Sequence, residues 1–280
     1  VRIVSNERLI GIGGSFWKDY RLKMRQKKQI EWHDQWNLFR NDELFLFKDW
    51  IFPTTLEDFR EKEILECGCG GGEHSCLVSR YAKHVTAVDL NTTNLARERN
   101  KIATNVTFVE DDIMTMDLDK KFDYVFSIGV IHHTDDPDKT FQNLMKHTKS
   151  GGKTIIWVYS KEGNALVEYI IEPLRKLFFR YLSKSQLLGM SKIITALLYF
   201  FVYTIYLLPL RFLPYYYYFG NFRKLNFYRN TLNVFDKLNA PQVDFISCER
   251  IKRWFSENEF EQISITPYMG VSWRGSGVKK

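Results

Sequence analysis

Cysteine is scarce in this sequence, with 4 residues among 280. Three of the four lie between positions 67 and 76, a distribution unlike the disulfide framework of a secreted protein, so we expect a reducing compartment. Together with the histidine at position 74, these cysteines lack the paired C-x-x-C knuckles of a structural zinc site. We therefore predict neither a disulfide framework nor a bound metal.

Internal repeats and low-complexity tails are absent, and the first residues are polar and charged rather than those of a secretory leader. The expected location is therefore the cytoplasm. A length of 280 residues suits one large core, or a core domain with an appended subdomain. The net charge of +7 suggests an anionic partner, and the aromatic residues, 16% of the chain, concentrate in its later half.

A glycine-rich turn at positions 64–75, ILECGCGGGEHS, follows a short apolar strand and precedes a helical pattern. Glycines at positions 68, 70 and 72 permit a tight turn and a close approach of a ligand to the backbone. Glu73 takes the third small position of a dinucleotide fingerprint, and Glu66 lies where a pyrophosphate would pass. A cofactor with cationic ammonium and sulfonium groups suits Glu66 better. The pattern E-x-G-x-G-x-G resembles the first motif of class I methyltransferases that use S-adenosylmethionine (SAM).

Two further strands follow in the order that this resemblance requires. Residues 85–90 are typical of a second strand that ends in Asp89, whose carboxylate can accept hydrogen bonds from both hydroxyls of a ribose. Residues 106–109 are typical of a third strand, and acidic residues come directly after it. The resemblance implies that Asp112 accepts a hydrogen bond from the adenine amine and that Ile113 flanks the ring.

A fourth strand is predicted at 122–128, and the segment GVIHHTDDP follows it. This segment is similar to the one after strand four in the same family, where the backbone near Ser127 and Ile128 meets the methionine part of SAM. The full set of expected cofactor-binding residues is Glu66, Gly68, Cys69, Gly70, Gly72, Asp89, Leu90, Asp112, Ile113, Ser127 and Ile128.

Strands and helices alternate from position 63 to about 159, which predicts a parallel sheet with right-handed crossovers. Asp136 and Pro137 predict the cap and first residue of a helix that ends at His147, after which Gly151 and Gly152 predict a turn into strand five. Near the C-terminus, a helix after position 247 and two alternating strands at 260–268 and 271–278 are similar to the elements that close a class I methyltransferase sheet.

The predicted fold is α/β and Rossmann-like, with a seven-stranded, mostly parallel sheet, an antiparallel last strand and a helical insertion. Residues 1–55 are expected to form a helical segment that covers the cofactor site. Residues 56–159 and 247–280 form the SAM-binding domain of this prediction. Residues 160–246 form the insertion, which is too long for a loop and must have its own structure.

The insertion is strongly apolar, with 18 consecutive uncharged residues at positions 193–210. A helix of that length spans about 27 Å, barely the hydrocarbon thickness of a bilayer, and its tyrosines and threonines argue against a membrane span. Two interpretations remain open: a lid in the membrane interface, ringed by basic residues, or the core of a helical cap that closes over an apolar substrate. The simplest version is a buried helix in a cap or a dimer contact. Each favours a hydrophobic or amphiphilic acceptor.

Methyl transfer requires an acceptor held in line with the methyl group, and a base only where the acceptor must lose a proton. His132 and His133 follow strand four, where an acceptor would arrive, and we place His133 before His132 as the candidate base. Tyr159, at the end of strand five, is a candidate substrate contact. In the resembled family the N-terminal segment often covers the cofactor, which makes His33 and Trp36 further candidates.

The segments YSKEGN and NVFDKLNAP resemble a type-11-like bacterial branch of the family that carries such a cap. The resemblance implies transfer of a methyl group from SAM to a hydrophobic or amphiphilic small molecule, such as a natural product, a lipid or a lipid-linked glycan, with S-adenosyl-L-homocysteine as the other product. Peripheral contact with the cytoplasmic face of the membrane is a further expectation. The basic helical pattern at 16–35 suggests an RNA methyltransferase as the alternative, although no RNA-binding module is visible. A non-catalytic SAM-binding or membrane-associated scaffold is the third hypothesis.

Overall fold

The computed structural model describes residues 44–280, and seven strands of this part form one mixed sheet with the order β3-β2-β1-β4-β5-β7-β6. Strands β1 to β5 are parallel to one another, and β7 is antiparallel to both β5 and β6. The predicted Rossmann-like α/β fold is therefore confirmed. The strands are β1 Glu63–Cys67, β2 His84–Asp89, β3 Val106–Glu110, β4 Phe122–Ile128, β5 Thr148–Tyr159, β6 Phe260–Tyr268 and β7 Ser272–Lys279.

Nine α-helices occur within residues 44–280. Their bounds are α1 Leu44–Ile51, α2 Glu73–Ser79, α3 Thr93–Arg99, α4 Pro137–His147, α5 Glu172–Leu177, α6 Lys184–Val202, α7 Tyr216–Phe222, α8 Phe227–Asn239 and α9 Cys248–Trp254. The predicted caps of α4 and α9 are present, because Asp136 Oδ1 accepts from the Lys139 amide at 3.1 Å and Ser247 Oγ accepts from the Arg250 amide at 3.3 Å.

Strand β5 begins earlier than the sequence predicts. It starts at Thr148, so Gly151 and Gly152 lie within the strand, and the predicted turn before it is wrong. The pairing of β4 with β5 shifts register between Phe122 and Tyr124, and Gly151 has a left-handed φ of 74° that allows this irregularity. A Cβ at Gly152 would lie 2.9 Å from the Asp123 carbonyl oxygen, so the close approach of β4 requires a glycine there.

Two apolar layers cover the sheet. On one face, Phe141 of α4 and Trp254 of α9 stack with ring centroids 5.1 Å apart over the central strands. On the other face, Phe47 of α1 and the apolar side of α2 pack against β1, β4 and β5. Ligands in sheets of this kind bind at the carboxyl ends of the parallel strands.

Residues 160–246, which we call the cap, leave the sheet after β5 and return before α9. Their two ends run side by side, since Ser160 and Ile246 form a parallel bridge and the Ile246 amide donates to the Tyr159 carbonyl at 3.0 Å. Helices α6 and α8 form a small apolar core with α7. Within residues 44–280, α6 is the one helix long and apolar enough to cross a membrane by length and composition, and 22% of its most apolar stretch is buried.

Candidate cofactor and acceptor site

The glycine turn after β1 has the geometry that its sequence predicts. Gly68, Gly70 and Gly72 have left-handed φ angles of 84°, 53° and 80°. The Gly68 amide donates to the Val88 carbonyl at 2.8 Å, which ties the turn to β2. A Cβ at Gly68 would lie 2.5 Å from the Val130 side chain, so the segment after β4 closes on this turn only because a glycine is present.

Glu66 lies beneath the turn and is buried. One of its carboxylate oxygens accepts a short hydrogen bond from the Ser75 hydroxyl, and the other is 3.6 Å from His74 Nδ1. Burial raises the pKa of the Glu66 carboxyl, an effect that His74 and Ser75 oppose. These contacts hold the first turn of α2 against β1, and the proposed attraction of Glu66 for a cofactor ammonium stays a prediction.

Asp89 ends β2 beside the same turn. Its Oδ2 accepts a hydrogen bond from the Gly70 amide at 3.0 Å, and its Oδ1 accepts one from the Asn91 amide at 3.3 Å. Burial raises the pKa of Asp89, and the backbone donors oppose this shift. The carboxylate is thus fixed at the strand end where the sequence predicts the ribose contact, and the neighbouring Leu90 is half-buried.

The remaining predicted cofactor residues lie along the same edge of the sheet. Asp112 follows β3, and its Oδ1 accepts from the Met114 amide at 2.9 Å, while Ile113 is buried in the core. Ser127 is buried at the end of β4 and donates to the Cys67 carbonyl at 2.9 Å. The structure brings these positions together, and their contacts with adenine and methionine stay predictions. Cys69 and Ile128 are also buried.

A pocket of about 900 Å³, counted to its open mouth, lies between the carboxyl end of β5 and the cap. Its apolar wall includes Trp50 of α1 and Trp157 of β5, whose rings stack with centroids 4.8 Å apart. A Cβ at Gly129 would lie 3.3 Å from the Trp157 ring, so this wall adjoins the segment that follows Ser127 and Ile128. The pocket therefore abuts the predicted cofactor site.

The opposite wall of the pocket is polar and comes mainly from the cap. The Tyr159 hydroxyl donates to Asp236 Oδ2 at 3.1 Å, and Lys237 Nζ donates to the Tyr218 hydroxyl at 3.2 Å. Burial raises the pKa of Tyr159 well above its ordinary value, and Asp236 raises it further. Three basic and two acidic side chains line this wall: Arg175, Arg229, Lys237, Glu172 and Asp236.

The two candidate histidines lie against Tyr159 and differ in their ring contacts. His133 Nδ1 donates to the Gln242 carbonyl at 2.7 Å, which places the lone pair on Nε2, as a general base requires. His132 is fully buried, and its Nδ1 accepts from the Tyr159 amide at 3.4 Å, so its lone pair is directed at the backbone. Burial lowers the pKa of both rings, and for His133 Asp236 opposes the shift. These hydrogen bonds favour His133 over His132 as a base, and neither ring is among the residues that line the pocket.

Two predicted substrate residues, His33 and Trp36, lie outside the described residues. In residues 44–280 no group of three histidine, cysteine or acidic side chains could hold a metal ion. Sequence reasoning missed Trp157, Asp236 and Lys237, although signals for them were present. Trp157 lies two positions before Tyr159 and thus on the same face of β5, and Asp236 and Lys237 stand in the segment NVFDKLNAP.

Comparison with known proteins finds a methyltransferase domain in this chain. A family model described as "Methyltransferase domain" matches residues 65–156. Residues 65–156 are a class I SAM-dependent methyltransferase domain. SAM is the methyl donor of such domains, and they belong to enzymes of class EC 2.1.1.

Relatives of the methyltransferase domain include two ubiquinone biosynthesis O-methyltransferases. The protein from Rickettsia conorii is 29% identical over 123 residues, which cover 43% of each chain, and that from Rickettsia akari is 29% identical over 163 residues, which cover 50% of this chain and 62% of the relative. The matched region therefore spans less than two thirds of these relatives. The superposition on magnesium protoporphyrin IX methyltransferase from Synechocystis PCC 6803 covers 80% of this chain and 76% of that protein's chain. The two are 12% identical, and the TM-score is 0.47.

The residues of the glycine turn fit SAM. Three left-handed glycines expose the backbone between β1 and α2, and Asp89 offers a carboxylate beside the Gly70 amide. Two acids, Glu66 and Asp89, flank the turn, which suits a cofactor with cationic groups and a ribose and does not suit a pyrophosphate. The predicted donor site thus lies at the edge of the sheet that the pocket adjoins.

Proposed function

We propose that this chain transfers a methyl group from SAM to a hydroxyl oxygen of an amphiphilic, lipid-like small molecule. The observation that carries the proposal is the pocket between β5 and the cap, which has an aromatic wall on one side and buried charges on the other. An acceptor with an apolar body and a polar group matches both walls, whereas a purely polar metabolite would leave the aromatic wall without a partner.

The aromatic wall orients the body of the acceptor. Trp50 and Trp157 present stacked rings that exclude water, and Trp157 adjoins Gly129 beside the donor site. On the other wall, the Tyr159 and Asp236 pair and the Lys237 ammonium offer charged and neutral hydrogen-bonding groups to the polar part of the acceptor. Together the walls hold the acceptor in one orientation, which is the main requirement of an in-line transfer.

When bound, SAM supplies an electrophilic methyl group. Glu66, Asp89 and the turn at Gly68–Gly72 would hold it, and Asp112 would hold its adenine. His133 accepts the proton that the acceptor hydroxyl loses, because its Nδ1 donates to Gln242 and its pKa is lowered by burial, so the ring is neutral at pH 7. The Rickettsia relatives, named as O-methyltransferases of ubiquinone biosynthesis, support an oxygen acceptor on a lipid-like molecule.

The test is a transfer assay with the purified full chain, methyl-labelled SAM and a total extract of the host. The products are partitioned into organic, aqueous small-molecule and RNA fractions, and the labelled species is identified by mass spectrometry. We expect label in the organic fraction, and none with Asp89→Ala. Label in RNA would instead support the RNA methyltransferase alternative. SAM binding without any transfer would support the non-catalytic alternative.

A further inference from the structure

The cap exposes an unusual number of large apolar side chains. Of the 22 such side chains exposed within residues 45–280, all but Phe45, Phe52 and Ile102 belong to the cap. They lie between Leu166 and Tyr228 and include aliphatic and aromatic residues of several helices. An exposed apolar surface of this extent marks a binding surface rather than ordinary scatter.

Helix α6 is apolar on both faces, since its inward face places Leu187 and Val202 in the cap core. Its outward face carries Ile193, Leu197 and Phe200, which are 64%, 61% and 66% exposed. Its buried face includes Ser191 and Thr195, whose hydroxyls donate to the carbonyls of residues 187 and 191 at 2.7 Å each. In water the apolar face of a helix turns inward, so the outward face of α6 is built for an apolar medium.

The start of the cap also exposes large apolar side chains, independently of α6. Glu172 and Arg175 form an ion pair and are buried against the pocket. Leu177, Phe178 and Tyr181, which follow them, are exposed. Two separate elements of the cap therefore expose large apolar side chains.

The positive charge of the cap indicates which kind of partner its exposed surface binds. Residues 173–235 contain nine lysines and arginines and no aspartate or glutamate. Five of the nine are exposed: Lys176, Arg180, Lys192, Arg211 and Lys224. A second copy of this chain would bring the same basic surface against itself in a symmetric contact, which like charges disfavour. A membrane surface with anionic headgroups offers both the apolar layer and the opposite charge.

We propose that the exposed apolar surface of the cap, between positions 166 and 228, inserts into the interface of a membrane that contains anionic lipids. Helix α6 lies along the membrane rather than across it, because the Asn230 side chain of α8 donates to the Tyr199 hydroxyl at 2.9 Å and the buried face of α6 packs on the cap core. The exposed tyrosines suit the headgroup region, and the exposed lysines and arginines meet lipid phosphates.

The test measures binding of the purified full chain to sedimented vesicles of phosphatidylcholine alone and of phosphatidylcholine with 30% phosphatidylglycerol, about the anionic fraction at which basic surfaces bind. The triple variant Ile193→Ser, Leu197→Ser, Phe200→Ser removes the outward face of α6. Its matched control is Ile102→Ser, because Ile102 is 95% exposed in the loop before β3, far from the cap. The double variant Lys192→Glu, Arg211→Glu tests the charge, with Lys101→Glu as its control.

We expect binding to the anionic vesicles, at least about tenfold weaker for the triple variant and for the double variant, with both controls unchanged. The double variant keeps the experiment informative if the triple variant does not fold, which circular dichroism shows. Equal binding of all variants would overturn the proposal. So would self-association that the triple variant abolishes in the absence of vesicle binding, since that result assigns the surface to a second copy. Retention in the membrane after carbonate extraction would overturn the in-plane orientation in favour of a span.

Discussion

The hydroxyl of Tyr159 donates a hydrogen bond to Asp236 Oδ2 at 3.1 Å, although 77 residues separate the two in sequence. Tyr159 is the last residue of β5, and Asp236 belongs to α8 of the cap. This bond therefore joins the sheet that holds the methyl donor to the insertion that lines the acceptor pocket. His133 lies near this bond, and its ring centroid is 6.0 Å from that of Tyr159.

The first prediction concerns that bond. We expect Tyr159→Phe to loosen α8 by about 1–3 kcal/mol, since a hydrogen bond to a half-buried carboxylate is lost and Asp236 loses a donor. Amide hydrogen exchange over 227–239 should quicken, while the affinity for SAM stays the same. Tyr169→Phe is the matched control, because Tyr169 is exposed on the cap. Unchanged exchange in Tyr159→Phe would show that the bond does not hold the cap.

The second prediction concerns the donor site. We expect Asp89→Ala to weaken SAM binding by roughly tenfold to a hundredfold, because the variant loses the ribose acceptor and the anchor of the Gly70 amide. Isothermal titration calorimetry measures the binding directly, with no need for an acceptor. Asp119→Ala, an exposed acid on the loop before β4, controls for the loss of charge. Normal binding by a folded Asp89→Ala protein would refute the assignment of the ribose contact.

The third prediction concerns the candidate base. Burial lowers the pKa of His133, so the ring stays neutral, and able to accept a proton, below the ordinary histidine pKa of about 6.5. The acid limb of the kcat profile should therefore lie below pH 6.5. His133→Gln should lower kcat by ~100-fold or more and remove that limb, with little change in SAM affinity. A limb that persists in His133→Gln would assign the titrating group elsewhere.

The fourth prediction concerns the stability of the cofactor-free protein. Burial raises the pKa of Glu66 above its ordinary 4.5, so the folded protein holds this proton more tightly than the unfolded chain does. The stability that this bound proton contributes to the folded protein is fully present below pH 4.5. It is lost as the pH rises through the raised pKa of Glu66. The difference in unfolding free energy between the native protein and Glu66→Gln should therefore fall over this range in urea titrations. A difference in unfolding free energy that does not change with pH would contradict the raised pKa of Glu66.

Local patterns in the sequence determine much of this fold. The N-cap at Asp136 with Pro137, strand β4 at Phe122–Ile128 and the hairpin turn at Met269 follow from local patterns of capping, alternation and turn residues. The glycine turn likewise carries its geometry in its sequence. The start of β5 cannot be predicted from its local sequence, because the register shift opposite Phe122 depends on pairing between distant segments.

The orientation of the cap helices could not be predicted in the same way. Helical periodicity separates the apolar side of residues 165–181 from the side that holds Glu172 and Arg175, and it does not say which side meets the rest of the protein. The structure turns Glu172 and Arg175 inward and leaves Leu177 outside. That choice depends on contacts between the cap and the pocket beneath it, and the spacing of residues along one helix does not encode them.

The side-by-side ends of the cap have a further consequence. Because Ser160 and Ile246 pair directly, the chain leaves and rejoins the sheet at one point, and the order of strands is the same as if a short loop joined them. The glycine turn and Asp89 lie on other strands and do not depend on what is inserted there. On the proposed function, we expect a different insertion grafted between these two residues to change the acceptor while the donor site stays intact.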